Sequence, residues 1–289
     1  MLVELLHVSA VDGLRLDGVL MPASGVGTDY GVDCLLGVHG TGSNFYASAF
    51  FNGVTPHLLE AGLPLLRVNT RGHDLIATSA GKIHGSAYER VSDCVLDFQG
   101  WIALLAERGY RRIGLLGHSL GALKGIYALA QRELPGVVRL LAVSPPWLSH
   151  ARFAAGRKSE MFQSTLSEAQ AHVAAGRGET LMEVLFPLPY VVTASGYVDK
   201  YGPDEIYDVP RLLKQLKTPT LVTFGTEELG EGGPFAGLPE EIERLQAVGV
   251  TTAGVRVLAG ANHQYLGCHA ELAGQLLGWL KASAASIPT

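Results

Sequence analysis

The chain has 289 residues, 47% of them apolar, with 22 basic and 27 acidic side chains and a formal net charge of -5. That length suits one large domain, or a domain with an insertion, and the apolar share is enough for a sizeable core. The absence of a basic cluster argues against nucleic-acid binding, and Cys34, Cys94 and Cys268 are too scattered for a disulfide framework or a zinc site.

The predicted elements begin with LLHVSAV and LRLDGVLMP, which read as an antiparallel hairpin split by Asp12-Gly13. The N-terminus has neither a basic n-region nor a long apolar run, so no signal peptide and no membrane span is expected, and a cytoplasmic location is the default. Four apolar runs then end in turn residues: CLLGVHG (34–40), LPLLRVNTRG (63–72), RIGLLGHS (112–119) and RLLAVSPP (139–146). Two more follow late, PTLVTFGTEE (219–228) and VRVLAGANH (255–263). Short apolar runs bounded by glycine and proline suit strands buried on both faces. Helical patterns lie between most of them, over residues 46–61, 88–108, 119–132, 239–247 and 269–281. In the second, Val91, Val95, Phe98, Ile102 and Leu105 recur at helical spacing. Strand–helix alternation implies an α/β fold with a mostly parallel central sheet flanked by helices.

Residues 147–210 break the rhythm, hold no convincing buried strand and read as a mainly helical insertion. The expected organisation is therefore a core in two parts, 1–146 and 211–289, interrupted by a helical cap at 147–210. A long excursion at the carboxyl end of a parallel strand tends to cover a ligand crevice; an extra packing layer is the alternative. Trp147, Phe153, Met161, Phe162, Phe186, Tyr190, Tyr197 and Tyr201 make this segment rich in large apolar groups. Some are expected to line a pocket and more to form the segment's own core.

The chemistry centres on Gly117-His118-Ser119-Leu120-Gly121, a G-x-S-x-G sequence between a predicted strand and a predicted helix. In that setting the pattern makes a sharp turn that exposes the serine hydroxyl above the sheet, with glycines where neighbouring chain comes close. A plain turn serine is the alternative. A serine hydroxyl is a weak nucleophile and needs a base, and the base needs an orienting group. Among ten histidines, His263 stands at the end of the last predicted strand. His118 adjoins the serine but is expected to be turned away by the elbow; His39, His73 and His269 are assigned to a loop motif, a loop and a helix terminus. The acid should follow the penultimate strand, where Glu227 and Glu228 both stand. Spacing from Gly225 selects Glu228, with Glu227 the alternative. Backbone N–H groups of Leu120 and of Thr41, in the His39-Gly40-Thr41-Gly42 loop, are the expected oxyanion donors.

HGTG, GHSLG, GTEE and GANH, in this order, resemble the α/β-hydrolase superfamily over nearly the whole chain, from about residue 2 to residue 280. VNTRGHD, AYERVSDCVLDFQGW, VDKYGPDEIYDV and GANHQYLGCHAEL are further similar to the fungal fusarinine-type siderophore esterases and their bacterial relatives. The resemblance implies the α/β-hydrolase fold and hydrolysis of a small-molecule carboxylic ester by Ser119, Glu228 and His263, without metal or organic cofactor. It leaves substrate-binding residues unassigned. The acid here is Glu where other members carry Asp. The same triad serves amidases, thioesterases, acyltransferases and cofactor-free haloperoxidases, and a non-catalytic receptor on this fold is the alternative of another class. Ser119 excludes a dehalogenase, whose nucleophile is Asp. No nucleic-acid or membrane partner is expected; a homodimer is left open.

Overall fold

The computed structural model describes residues 3–25, 27–79 and 81–284. Residues 1, 2 and 285–289, the outer ends of the two expected core parts, lie outside the described residues.

The chain opens with the hairpin β1 (Glu4–Ser9) and β2 (Arg15–Met21), then runs through β3 (Cys34–Val38), α1 (Ala49–Glu60) and β4 (Leu65–Val68). A small hairpin, β5 (Ala77–Ser79) and β6 (Lys82–His84), follows where no strand is expected from the sequence. Next come α2 (Cys94–Glu107), β7 (Ile113–His118), α3 (Leu120–Gln131) and β8 (Val137–Val143). The expected start of α2 at residue 88 is too early, since Val91–Asp93 form a separate 3-10 turn before it.

Within 147–210 the chain forms α4 (His150–Ala155), α5 (Ser159–Ala174), β9 (Leu181–Val184), β10 (Tyr190–Thr193), α6 (Ala194–Tyr201) and α7 (Val209–Leu213). The antiparallel pair β9–β10 adds a short hairpin where no convincing buried strand is expected. β9 alternates in burial, as a strand covered on one face requires, and four-residue strands of alternating burial are too short to signal themselves in sequence. The chain closes with β11 (Thr220–Gly225), α8 (Leu238–Ala247), β12 (Gly254–Leu258) and α9 (His269–Ala284).

Eight strands form one sheet in the order β1-β2-β4-β3-β7-β8-β11-β12. The pairs from β4 to β12 are parallel, while β1–β2 and β2–β4 are antiparallel. Period-two alternation divides the strand side chains between two cores. Leu36 and Val38, Leu115, Leu140 and Ala142, and Val222 and Phe224 join one face with Phe98 and Trp101 of α2 and Leu123 and Ile126 of α3. Leu35, Leu116, Leu141 and Leu221 join the other, with Phe50, Phe51 and Leu58 of α1 and Leu276 and Leu280 of α9. Covering on both faces is why these strands are near-continuously apolar. β12 departs from that pattern: it is the sheet edge, and Arg256 and Val257 are exposed.

The fold prepares a site before any functional side chain is considered. β3 and β7 are neighbours, but the chain leaves β3 for α1 on one face and β7 for α3 on the other. The crevice at the carboxyl ends of two strands that part in this way is where open α/β sheets bind ligands.

Candidate active site

Ser119 sits between β7 and α3 with φ 57° and ψ −126°. A non-glycine residue there is strained, and close packing holds it. A Cβ on Gly117 would lie 2.4 Å from the Gly121 carbonyl oxygen, and one on Gly121 would lie 2.3 Å from the Val38 carbonyl oxygen. Both glycines of the pentapeptide are thus required by the approach of backbone to backbone. A Cβ on Gly40 would lie 2.9 Å from the Ser119 Cβ, so the loop after β3 passes directly beside the serine.

The ends of β7, β8 and β11 are held in step: the Ser119 N–H donates to the Val143 carbonyl, and the Ser144 N–H to the Thr223 carbonyl, both at 2.8 Å. This brings the three sequence-predicted side chains together. The Ser119 hydroxyl donates to His263 Nε2 at 3.1 Å, and His263 Nδ1–H donates to Glu228 Oε2 at 2.6 Å. The tautomer follows from the partners, because a carboxylate can only accept. Glu228, rather than Glu227, faces the histidine; its side chain is 2% exposed, while Glu227 is exposed and donates its N–H to the Ala261 carbonyl.

Glu228 is fixed by groups the sequence did not single out. Its Oε1 accepts from the Gly225 N–H at 2.8 Å and from the Ser144 hydroxyl at 2.6 Å, leaving Oε2 for His263. Ser144, at φ 52°, lies 3.1 Å from the buried Tyr265 hydroxyl. The strand end at Ser144 carries no carboxylate, yet it orients the one on the neighbouring strand.

His118 is not remote from the site. It is buried, stacks on Phe50 with ring centroids 4.2 Å apart, and donates from Nε2 to the His263 carbonyl at 2.8 Å. Burial drives its pKa down to about 3, so it is a neutral buttress for the His263 backbone. His39 is likewise depressed to about 3 by burial. Its Nδ1–H donates to the Gly40 carbonyl at 2.8 Å and its Nε2 accepts the Thr70 N–H at 3.2 Å, which ties the HGTG loop to the end of β4. His73 pairs with Asp74 at 2.7 Å in a loop, and His269 begins α9.

Thr41, Ser119, Leu120 and His263 line one side of a cavity of about 310 Å³. Leu148, Leu188, Tyr190, Lys200 and Tyr201, from the 147–210 segment, line another side, and Phe235 closes it beside His263 with rings 4.8 Å apart. Of the aromatic residues singled out there, Tyr190 and Tyr201 reach the cavity. Phe153, Phe162, Phe186 and Tyr197 are buried in the segment's core, Trp147 packs under the Arg152 guanidinium, and Met161 is exposed. Leu120 is the first residue of α3, so its N–H has no acceptor one turn back within the helix.

Beneath the cavity lies a buried charge cluster absent from the sequence reading. Lys124 of α3 pairs with Glu89, neither side chain has any exposed surface, and Lys124 donates to Thr70 Oγ1 at 2.8 Å. Burial opposes the Glu89 charge, but Lys124 and Lys200 outweigh it and hold the carboxyl below its usual range. The available signal was one lysine inside the otherwise apolar LGALKGIYALA.

Among the described residues no group of three or more His, Cys, Asp or Glu is placed to hold a metal ion, and no helix is long and apolar enough to cross a membrane. Cys34 and Cys94 are buried and Cys268 is partly buried; all three are free thiols. The chemistry available is proton transfer and nucleophilic attack by a serine hydroxyl in an apolar enclosure.

A family model described as the alpha/beta hydrolase family matches residues 35–274. Among curated proteins no relative matches, so the likeness to fusarinine-type esterases rests on the sequence motifs alone. Among solved structures the chain is similar to the alpha/beta hydrolase GrgF from Penicillium sp. sh18, with a TM-score of 0.70 and 16% identity over 99% of this chain and 100% of that one. It is also similar to the Pyrococcus furiosus esterase PF2001 (TM-score 0.61, 18% identity, 97% and 91% covered). A third is Est1E from Butyrivibrio proteoclasticus (TM-score 0.58, 14% identity, 98% and 99% covered). At these identities the likeness is one of fold.

Proposed function

The chain belongs to the alpha/beta hydrolase family, and on that premise we propose that it is a serine hydrolase that cleaves a carboxylic ester through an acyl-enzyme on Ser119. The observation that carries this reading is the unbroken hydrogen-bonded chain Ser119–His263–Glu228 opening onto an apolar cavity. The serine–histidine distance of 3.1 Å is within reach for a general base.

In this mechanism His263 takes the Ser119 proton as the oxygen attacks the ester carbonyl. Glu228, held by Ser144 and Gly225, keeps the imidazole in the reactive tautomer and stabilises its charged form. The oxyanion is bound by the Leu120 and Thr41 amides; the first is favoured by the positive end of α3, the second by the closeness of the Gly40 loop to Ser119. His263 then protonates the leaving alcohol, and a water activated by the same imidazole cleaves the acyl-enzyme. Segment 147–210 acts as the cap that keeps bulk water from the acyl group.

The test is labelling with a fluorophosphonate, mapping of the modified peptide, and hydrolysis of p-nitrophenyl esters of increasing chain length. Modification at Ser119, with turnover lost by at least about a thousandfold in Ser119→Ala while the fold is retained, is expected. Undiminished turnover in that variant would refute the mechanism.

A further inference from the structure

We propose that Lys200 is an anion-binding residue inside the cavity, and that the substrate is an ester carrying a second, remote carboxylate. The inference rests on the esterase reading above and adds its substrate class.

Lys200 lines the cavity together with Ser119, His263, Tyr190 and Tyr201. It is 4% exposed, and its Nζ has no hydrogen-bond partner among the described residues. The ammonium lies over the Tyr190 ring, 5.7 Å from its centroid, and Tyr190 in turn reaches the Tyr201 hydroxyl at 3.2 Å. A buried ammonium without acceptors is costly, and proteins keep such groups where something pairs with them.

The surrounding charges do not supply that partner. Glu89 acts on Lys200 electrostatically, but its carboxylate is already in an ion pair with Lys124. Asp199 also acts on Lys200 electrostatically, but its carboxylate accepts from the Tyr207 hydroxyl at 2.8 Å and from the Val91 N–H at 3.3 Å. The Arg71 guanidinium is matched by Asp97 and Asp12. Burial lowers the Lys200 pKa against the pull of Glu89 and Asp199, and neither carboxylate hydrogen-bonds its Nζ, so the group that borders the cavity is the one left without an acceptor.

A carboxylate of the substrate completes this arrangement. It gives Lys200 its counter-charge and a charge-assisted hydrogen bond in a site of low dielectric. The apolar walls, Leu148, Leu188 and Phe235, take the hydrocarbon between that carboxylate and the scissile ester. A neutral carbonyl or hydroxyl would satisfy a donor of Lys200 but would not offset the cost of burying its charge.

The experiment compares matched ester pairs on the purified protein. One pair places the charge on the acyl part: p-nitrophenyl hemiesters of succinate, adipate and suberate against the neutral esters of equal chain length. The other places it on the alcohol part: ω-acetoxyhexanoate against hexyl acetate. The anionic member is expected to show a kcat/KM higher by about tenfold or more in at least one pair. That ratio should collapse in Lys200→Met and survive in Lys200→Arg. Equal or lower kcat/KM for every anionic member overturns the proposal, as does a ratio unchanged in Lys200→Met, which marks a structural lysine. If no ester turns over and no fluorophosphonate labels Ser119, the esterase reading fails. Calorimetry of monomethyl adipate and ω-acetoxyhexanoate on Ser119→Ala then decides the subsite alone. Tight binding lost on adding Lys200→Met upholds it, and failure of both ligands to bind overturns it.

Discussion

Replacing Lys124 by methionine removes one charge from a pair with no solvent exposure while keeping most of the volume of the side chain. The effect is therefore electrostatic rather than a cavity. Stranding one member of a buried ion pair costs about 3–5 kcal/mol, and the hydrogen bond to Thr70 is lost as well. Lys200 still attracts Glu89 in the variant, which places the loss near the lower end, about 3 kcal/mol. For a chain of this size, with an unfolding entropy of about 0.6 kcal/mol/K, that corresponds to a fall in Tm of about 5 °C. The assay is thermal unfolding followed by circular dichroism for the wild type, Lys124→Met, Glu89→Leu and the double variant. The double variant should lose less than the sum of the singles by about 2 kcal/mol, because neither charge is left stranded against the other. A drop below about 2 °C in Lys124→Met, or additivity within about 0.5 kcal/mol, would show that the pair is not the electrostatic anchor described.

Further outcomes follow from the same geometry. Gly40→Ala drives a methyl against the Ser119 Cβ, so kcat should fall more than about tenfold with little change in Tm; steady-state kinetics beside a melting curve separates the two effects. Ser144→Ala removes the shorter of the two bonds to Glu228 Oε1 and is expected to lower both kcat and stability, the latter by about 1.5–3 kcal/mol. Tyr265→Phe should cost about 1 kcal/mol and leave KM unchanged, as read by urea unfolding and kinetics. His39 and His118 are held neutral, with pKa values near 3 against 6.5 in the unfolded chain. The unfolded chain therefore binds more protons below pH 6.5, so stability is full above that value and falls as the pH drops toward about 3. The slope in that window is about 2.7 kcal/mol per pH unit for the two groups, and His118→Gln should halve it in urea titrations across the acid range. An unchanged slope would contradict the burial argument.

The local signals were legible because each is a short-range consequence of covalent structure. Apolar runs ending in Gly or Pro mark β3, β4, β7, β8 and β11, since strands covered on both faces have no polar side to interrupt them. GHSLG and HGTG announce places where chain comes close to chain: Gly117 and Gly121 meet backbone, and Gly40 meets the Ser119 side chain. The order of Ser119, Glu228 and His263 along the chain follows from strand order, so position alone pointed to them. The β9–β10 hairpin and the β5–β6 hairpin carried no such signal, because three or four residues give too few alternations to distinguish a strand from a loop.

What the sequence determined by itself was the succession of elements and which residue types stand at their carboxyl ends. Only the tertiary structure decided the pairings across long separations. It turned Glu228 rather than Glu227 toward His263, because the turn after β11 sends successive side chains to different sides. It set Ser144 and Tyr265 behind that carboxylate and His118 under the His263 backbone. It also joined Lys124, Glu89 and Lys200, from three distant segments, into one buried cluster beside the cavity. Such arrangements depend on desolvation and on distance in space, and neither is a property of neighbouring letters in a chain.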